Sequence, residues 1–155
     1  MTALKSFLYL IIAAGLGAWY FPFVLLPKTP QVQTGSLAYL AFPLWLLGGF
    51  EILWCFWDFT FKGRGTPLPL DPPKELVVTG PYRYVRNPIY VGVLVIVMGY
   101  FLWFKSIWMI VYAVVAFLGV HLFVTFYEER TLKKKFGAAY EDYCKTVPRW
   151  FPKFK

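Results

Sequence analysis

Apolar positions along this chain gather in long blocks rather than in one-sided stripes. Leu4–Leu26 is the first block, interrupted only by Lys5 near its start and Pro22 near its end. Pro27 and Pro30 then break the chain. Leu37–Phe59 is the second, with Pro43 inside it and Glu51 and Asp58 in its later half. Ile89–Phe104 is the third, and Pro88 stands at its first turn, where a missing N–H costs nothing. Lys105 and Ser106 separate it from Ile107–Tyr127. A crossing helix needs about 20 mostly apolar residues. The pattern therefore predicts about four transmembrane helices, the last two an antiparallel hairpin. The fold class is all-α integral membrane.

Composition supports lipid as the solvent. The 155 residues are 59% hydrophobic and only 15% charged, where soluble domains carry about 25% charge. A domain of this size cannot hide so much apolar surface from water, and disorder would need the opposite balance. The chain reads as one domain, residues 1–155, with two spans over 1–59 and a loop, hairpin and tail over 60–155. No cleavable signal peptide is evident, so the first block is expected to stay as a helix. The net charge of +8 suits an anionic membrane surface rather than nucleic acid, because no basic module stands apart from the apolar blocks. With four spans, fourteen of the sixteen Lys and Arg fall on one face, and only Lys28 and Lys105 fall opposite. The positive-inside rule makes that face, with both termini, cytoplasmic.

Two segments on that face are more than connectors. The loop KGRGTPLPLDPPKELVVTGPYRYVRNP is irregular yet rich in Leu, Val and Tyr. The tail places Leu132, Phe136, Ala139, Tyr140 and Tyr143 on one helical face, with Val147, Trp150 and Phe151 as later anchors. That face suits either a lipid surface or packing of loop and tail together into a pocket over the helix ends. Cys55 and Cys144 are far apart and read as free thiols. One histidine is too few to build a zinc site with them, so no metal is expected.

Four features could carry chemistry. Glu51 is a carboxylate inside the second span, where it costs roughly 2–3 kcal/mol unless paired or wetted. It either lines a substrate cavity or pairs with a base such as Arg86. His121, Thr125 and Glu128 share a stripe on the fourth span, since seven residues make two turns with about 20° of drift. The stripe is either a wet groove or a neutral histidine bonded to a neighbouring helix. Glu128 and Glu129 either hold a ligand or are solvated and countered by Arg130 and the lysines. Arg86, Asn87, Pro88 and Tyr90 form an N-capped helix start, and a helix N-terminus also suits a carboxylate or phosphate. No GxxxxGK[ST], GxSxG, HExxH or strand-borne GxGxxG is present.

LVVTGPYRYVRNPIYVG at 76–92 and EERTLKKKFGAAYEDYCKTVPRW at 128–150 together form GxYxxxRxPxYxG, a hairpin, two acids, then FGxxYxxYxxxVPR. In this order they resemble the isoprenylcysteine carboxyl methyltransferase family, particularly its small prokaryotic members. The resemblance implies S-adenosylmethionine as cofactor. It implies cofactor contacts at Leu76, Val77, Tyr82, Asn87, Pro88, Ile89, Tyr90 and Glu128. The acceptor is expected to be lipophilic (a carboxylate, amine, thiol or hydroxyl) and to enter sideways between the second and fourth spans. Glu51, His121 and Arg86 are the candidates to act on it. Two positions depart from the family: Asn87 stands where His is common, and Val124 where eukaryotic members have a substrate-binding Arg. The cytoplasmic half also resembles NADPH-dependent sterol reductases, and a non-enzymatic membrane protein is the third reading.

Overall fold

The computed structural model describes residues 15–25, 35–63 and 73–152. The greater part of the first predicted span, Leu4–Ala14, lies outside them, as does part of the loop. Its described end is helical: a π-helical turn, Leu16–Tyr20, runs into α1, Phe21–Leu25. A 3-10 turn, Ser36–Leu40, leads into α2, Ala41–Phe61. Pro43 therefore sits in the first turn of α2, where no intrahelical donor is lost. α3 is Pro88–Phe104 and α4 is Ile107–Phe123. A π-helical turn, Val124–Glu128, continues α4 into α5, Glu129–Phe136. α6 is Ala138–Thr146. No strand occurs among the described residues.

Ser36–Phe61 and Ile107–Phe136 are each long and apolar enough to cross a membrane, and α3 is a shorter apolar helix. The continuous helix from Ile107 exceeds what hydrocarbon requires. Its first 21 residues, Ile107–Tyr127, fill about 30 Å, and its charged end from Glu128 projects beyond. Lys105 closes the α3–α4 hairpin in a left-handed conformation, φ 46°. The turn is two residues long, so the hairpin is antiparallel as the spacing predicts.

α2 and α3 form the principal helix pair. They cross where Gly48 meets Gly92: a Cβ on Gly48 would stand 2.6 Å from the Gly92 carbonyl oxygen. Small residues at such crossings let two backbones pack closely inside lipid. Ile52, Phe56 and Ile96 fill the adjoining core with Ala18. Near the Lys105 end, Trp45, Trp103, Phe42 and Tyr100 pack ring on ring. Such aromatic girdles mark a membrane–water boundary. At the other end the loop and tail fold over the helices. Val77 and Tyr82 are buried against Cys55 of α2. Leu76 points the opposite way, into a cluster made by Tyr140, Tyr143 and Val147.

The tail is two helices rather than one. Gly137, at φ +54°, breaks the expected amphipathic helix between Phe136 and Ala138. Leu132, Phe136, Tyr140 and Tyr143 still converge on one cluster, but Ala139 faces out. The break lets α6 turn back over the bundle, so the tail packs on protein at its Tyr face.

Candidate functional site

The site begins with a chain reversal at the end of α2. Asp58 is fully buried. Its Oδ2 accepts from the Thr79 hydroxyl at 3.0 Å, and its Oδ1 lies 2.7 Å from the Lys62 ammonium. Gly80 turns the loop beside it at φ +56°, and a Cβ there would stand 2.5 Å from Asp58 Oδ2. Only glycine fits both that angle and that space. Asp58 thus fixes the start of GPYRYVRNP and hence the entry into α3. Sequence reasoning counted Asp58 only as a charge near a span end. Thr79, the residue that receives it, carried no signal of its own.

Tyr82 follows. It is buried, and burial together with the neighbouring Cys55 thiol raises its phenol well above the usual range. Its carbonyl accepts the Tyr143 hydroxyl at 2.7 Å. This contact ties the loop to α6. Leu76, Val77 and Tyr82 therefore stand in the packed layer under the site, not in open space.

Arg86, Asn87 and the tail then lock together. The Arg86 backbone N–H donates to the Pro148 carbonyl at 2.9 Å. Asn87 occupies the N-cap position of α3 and Pro88 its first turn, but the Asn87 side chain makes no cap. Its amide donates instead to the Arg149 carbonyl at 3.2 Å. The tail carbonyl takes the Asn87 amide, so Asn87 caps none of the α3 N–H groups. Glu129 is held from two sides: Arg149 binds it bidentately at 2.7 and 2.9 Å, and Arg86 Nη1 lies 3.0 Å from Oε1. Fork-to-fork pairs of this kind are the strong, geometry-specific ones. Glu129 is therefore not a solvated acid countered by Arg130. Arg130 lies over the Phe126 ring. Nor does Arg86 pair with Glu51. No hydrogen bond or ion pair among the described residues joins Glu51 to Arg86 or His121, and Glu51 stands half-buried on α2 one turn before Cys55.

Glu128 turns the other way from Glu129. Its Oε2 accepts from the Tyr90 hydroxyl at 3.2 Å. Burial pushes its carboxyl up to about 7, against the opposing pull of the Tyr90 bond. The π-helical turn adds a residue to the circuit at this point, and such bulges recur at functional sites. Beside this pair, Thr125 has a buried hydroxyl without a hydrogen-bond partner, and Arg86 a buried Nε in the same condition. His121 points to the tail as well: the Trp150 indole N–H donates to its Nδ1 at 3.0 Å.

A small apolar cleft adjoins the polar cluster. Tyr90, Val93 and Leu94 of α3, Ala116, Phe117 and Val120 of α4, and Trp150 of the tail line it. It is half-open, with about 30 Å³ of enclosed room. It lies within the α3–α4 hairpin.

These features define an integral membrane protein whose loop and tail close a polar cluster over one end of a helical hairpin. Residues 29–139 match the family model described as phospholipid methyltransferase, and the chain belongs to that family. It is a membrane methyltransferase, in agreement with the resemblance read from the two motifs. Comparison with curated proteins finds no match, and comparison with solved structures finds none. The match stops at Ala139, so the contacts of Arg149 and Trp150 in the site rest on the structure and not on the family match.

Proposed function

We propose that this protein methylates a lipophilic acceptor with S-adenosylmethionine, bound where α3, Glu128 and the tail meet. The single observation that carries this reading is the Tyr90–Glu128 contact at 3.2 Å beside a helix start whose N–H groups have no side-chain cap. The local chemistry fits the cofactor. The α3 start, which the Asn87 side chain does not cap, suits the methionine carboxylate. Glu128 suits an ammonium or ribose hydroxyl, and the Tyr90 ring beside it suits a sulfonium. Asn87 and Pro88 set the helix start, and Ile89 and Tyr90 complete its first turn. Leu76, Val77 and Tyr82 support the floor.

When bound, the cofactor supplies a methyl group by in-line displacement, and the C–S electron pair stays on sulfur. The protein's part is positioning and exclusion of water, worth several kcal/mol of barrier when alignment is good. Tyr90 faces both the polar cluster and the apolar cleft, so donor and acceptor meet at its ring. The acceptor's identity is constrained by charge. Arg86, Arg149 and Lys62 are all engaged by carboxylates, and Val124 supplies no cation. With these cations of the site so engaged, an amine or hydroxyl acceptor fits better than a carboxylate. Glu51 is the group proposed to orient it or take its proton. The active face is proposed to be cytoplasmic on the strength of the charge asymmetry, and the membrane to be prokaryotic on the strength of the family resemblance.

The test is a melting titration of purified protein in detergent. S-adenosylhomocysteine at a hundredfold excess over its Kd should add about 2.7 kcal/mol of stability, and Glu128→Ala should remove most of the shift. A shift with NADPH and none with S-adenosylhomocysteine would overturn the reading.

A further inference from the structure

Trp150 joins the two halves of the site. Its indole N–H is bonded to His121 Nδ1 at 3.0 Å. Its ring packs edge-on against Phe117, with centroids 5.1 Å apart, and tilts against Tyr90 at 6.4 Å. The residue before it, Arg149, is fixed at both its side chain and its carbonyl. The indole therefore has a defined place, and that place is the wall between the apolar cleft and the Tyr90–Glu128 pair.

The cleft has a defined chemistry too. Apart from the edges of Tyr90 and Trp150, it is lined by aliphatic groups and Phe117. Ligand pockets for whole small molecules run to about 300–1,000 Å³. A half-open cleft with about 30 Å³ of enclosed room is far too small for a whole molecule, and inside a lipid-embedded hairpin it suits one short segment of an alkyl chain, with its polar end at Tyr90.

We infer that the cleft holds a single alkyl chain of the acceptor against the Trp150 indole, and that His121 serves as a positioning residue for that indole. This rests on the proposed function only in calling the amphiphile an acceptor. An Nδ1 that accepts the indole proton carries none of its own, so the imidazole proton is on Nε2. Neither ring nitrogen is then placed to take a proton from an acceptor while the bond holds. His121 moves from candidate base to anchor.

The test uses the full chain and a dodecylamine brominated in mid-chain, which quenches nearby tryptophan. Native protein should show saturable quenching by the probe. Trp150→Phe should lose the Trp150 share of it. Ala116→Phe, which fills the cleft, should abolish saturable binding while S-adenosylhomocysteine affinity stays native. His121→Leu should weaken probe binding about three- to tenfold, the worth of one hydrogen bond. The double variant His121→Leu/Trp150→Phe should bind no worse than Trp150→Phe alone. In turnover, His121→Leu should raise the KM for a methylated amphiphile more than it lowers kcat. Quenching unchanged in Trp150→Phe would overturn the inference. So would His121→Leu binding the probe as tightly as native, or losing S-adenosylhomocysteine affinity by the same factor. Failure of native protein to bind S-adenosylhomocysteine, with the probe results intact, would sink the methyltransferase site and leave the chain slot standing.

Discussion

At the residue scale, Glu128 and Glu129 show how neighbours in sequence acquire opposite tasks. Glu129 is spent on structure, shared by two guanidinium groups. Glu128 is left with one phenol and a carboxyl that burial pushes up to about 7. A carboxyl raised on folding favours the protonated form, so its contribution to stability is present at low pH and is lost as pH rises through about 7. A ligand that needs the carboxylate shows the reverse dependence. The affinity for S-adenosylhomocysteine should climb between pH 6 and 8, roughly one unit either side of that value. Isothermal titration across the range checks it, and Glu128→Gln should flatten the profile. Tyr90→Phe removes the bond that stabilises the carboxylate and should shift the midpoint to higher pH. Arg149→Lys keeps the charge but not the fork. It should lower S-adenosylhomocysteine affinity by loosening the tail, with little change in the amount of protein inserted in the membrane, as read by fractionation.

At the element scale, the helices were legible because lipid permits so few solutions. A backbone in hydrocarbon must satisfy itself, so an apolar block of the right length is a helix. The second, third and fourth spans begin and end within two residues of the positions that hydropathy marks, except that the fourth helix runs on to Phe136. Charge does not stop a helix that has already left the membrane. The break at Gly137 was less legible, since the apolar repeat continues across it. The Asn87 side chain was misread because its competitor, the Arg149 carbonyl, lies far along the chain. Asp58 was missed for the same reason, as its partner Thr79 sits beyond an irregular loop. Periodicity reports faces, not which distant loop comes to rest on them. The α2–α3 crossing offers a direct check. Gly92→Leu places a side chain against the Gly48 carbonyl and Ile52. Overpacking of this kind costs about 1–3 kcal/mol. The variant should melt earlier in detergent, while Gly119→Leu, which meets nothing within 4 Å, should melt as native.

At the scale of the whole molecule, the chain puts its polar cluster at the end of the hairpin remote from Lys105. The charge asymmetry then makes a definite statement about sidedness. In a variant with Cys55 and Cys144 replaced by Ser, Lys105→Cys should react with an impermeant maleimide added to intact cells. Lys134→Cys should react only after the cells are opened. The reverse pattern would place the polar cluster outside and refute the cytoplasmic assignment. The candidate site was visible in outline from two motifs, but its closure was not. The tail contributes Arg149 and Trp150 through contacts that no local pattern foretells.

The bond between Asn87 and the Arg149 carbonyl spans 62 positions. A ribosome delivers those partners in order, so the contact waits for Arg149 to be made. Contacts so distant in sequence close late. A chain that stops short of Arg149 can form α3 and α4 but not the bond that ties the α3 start to the tail, so the site closes only once residues 149–150 are in place.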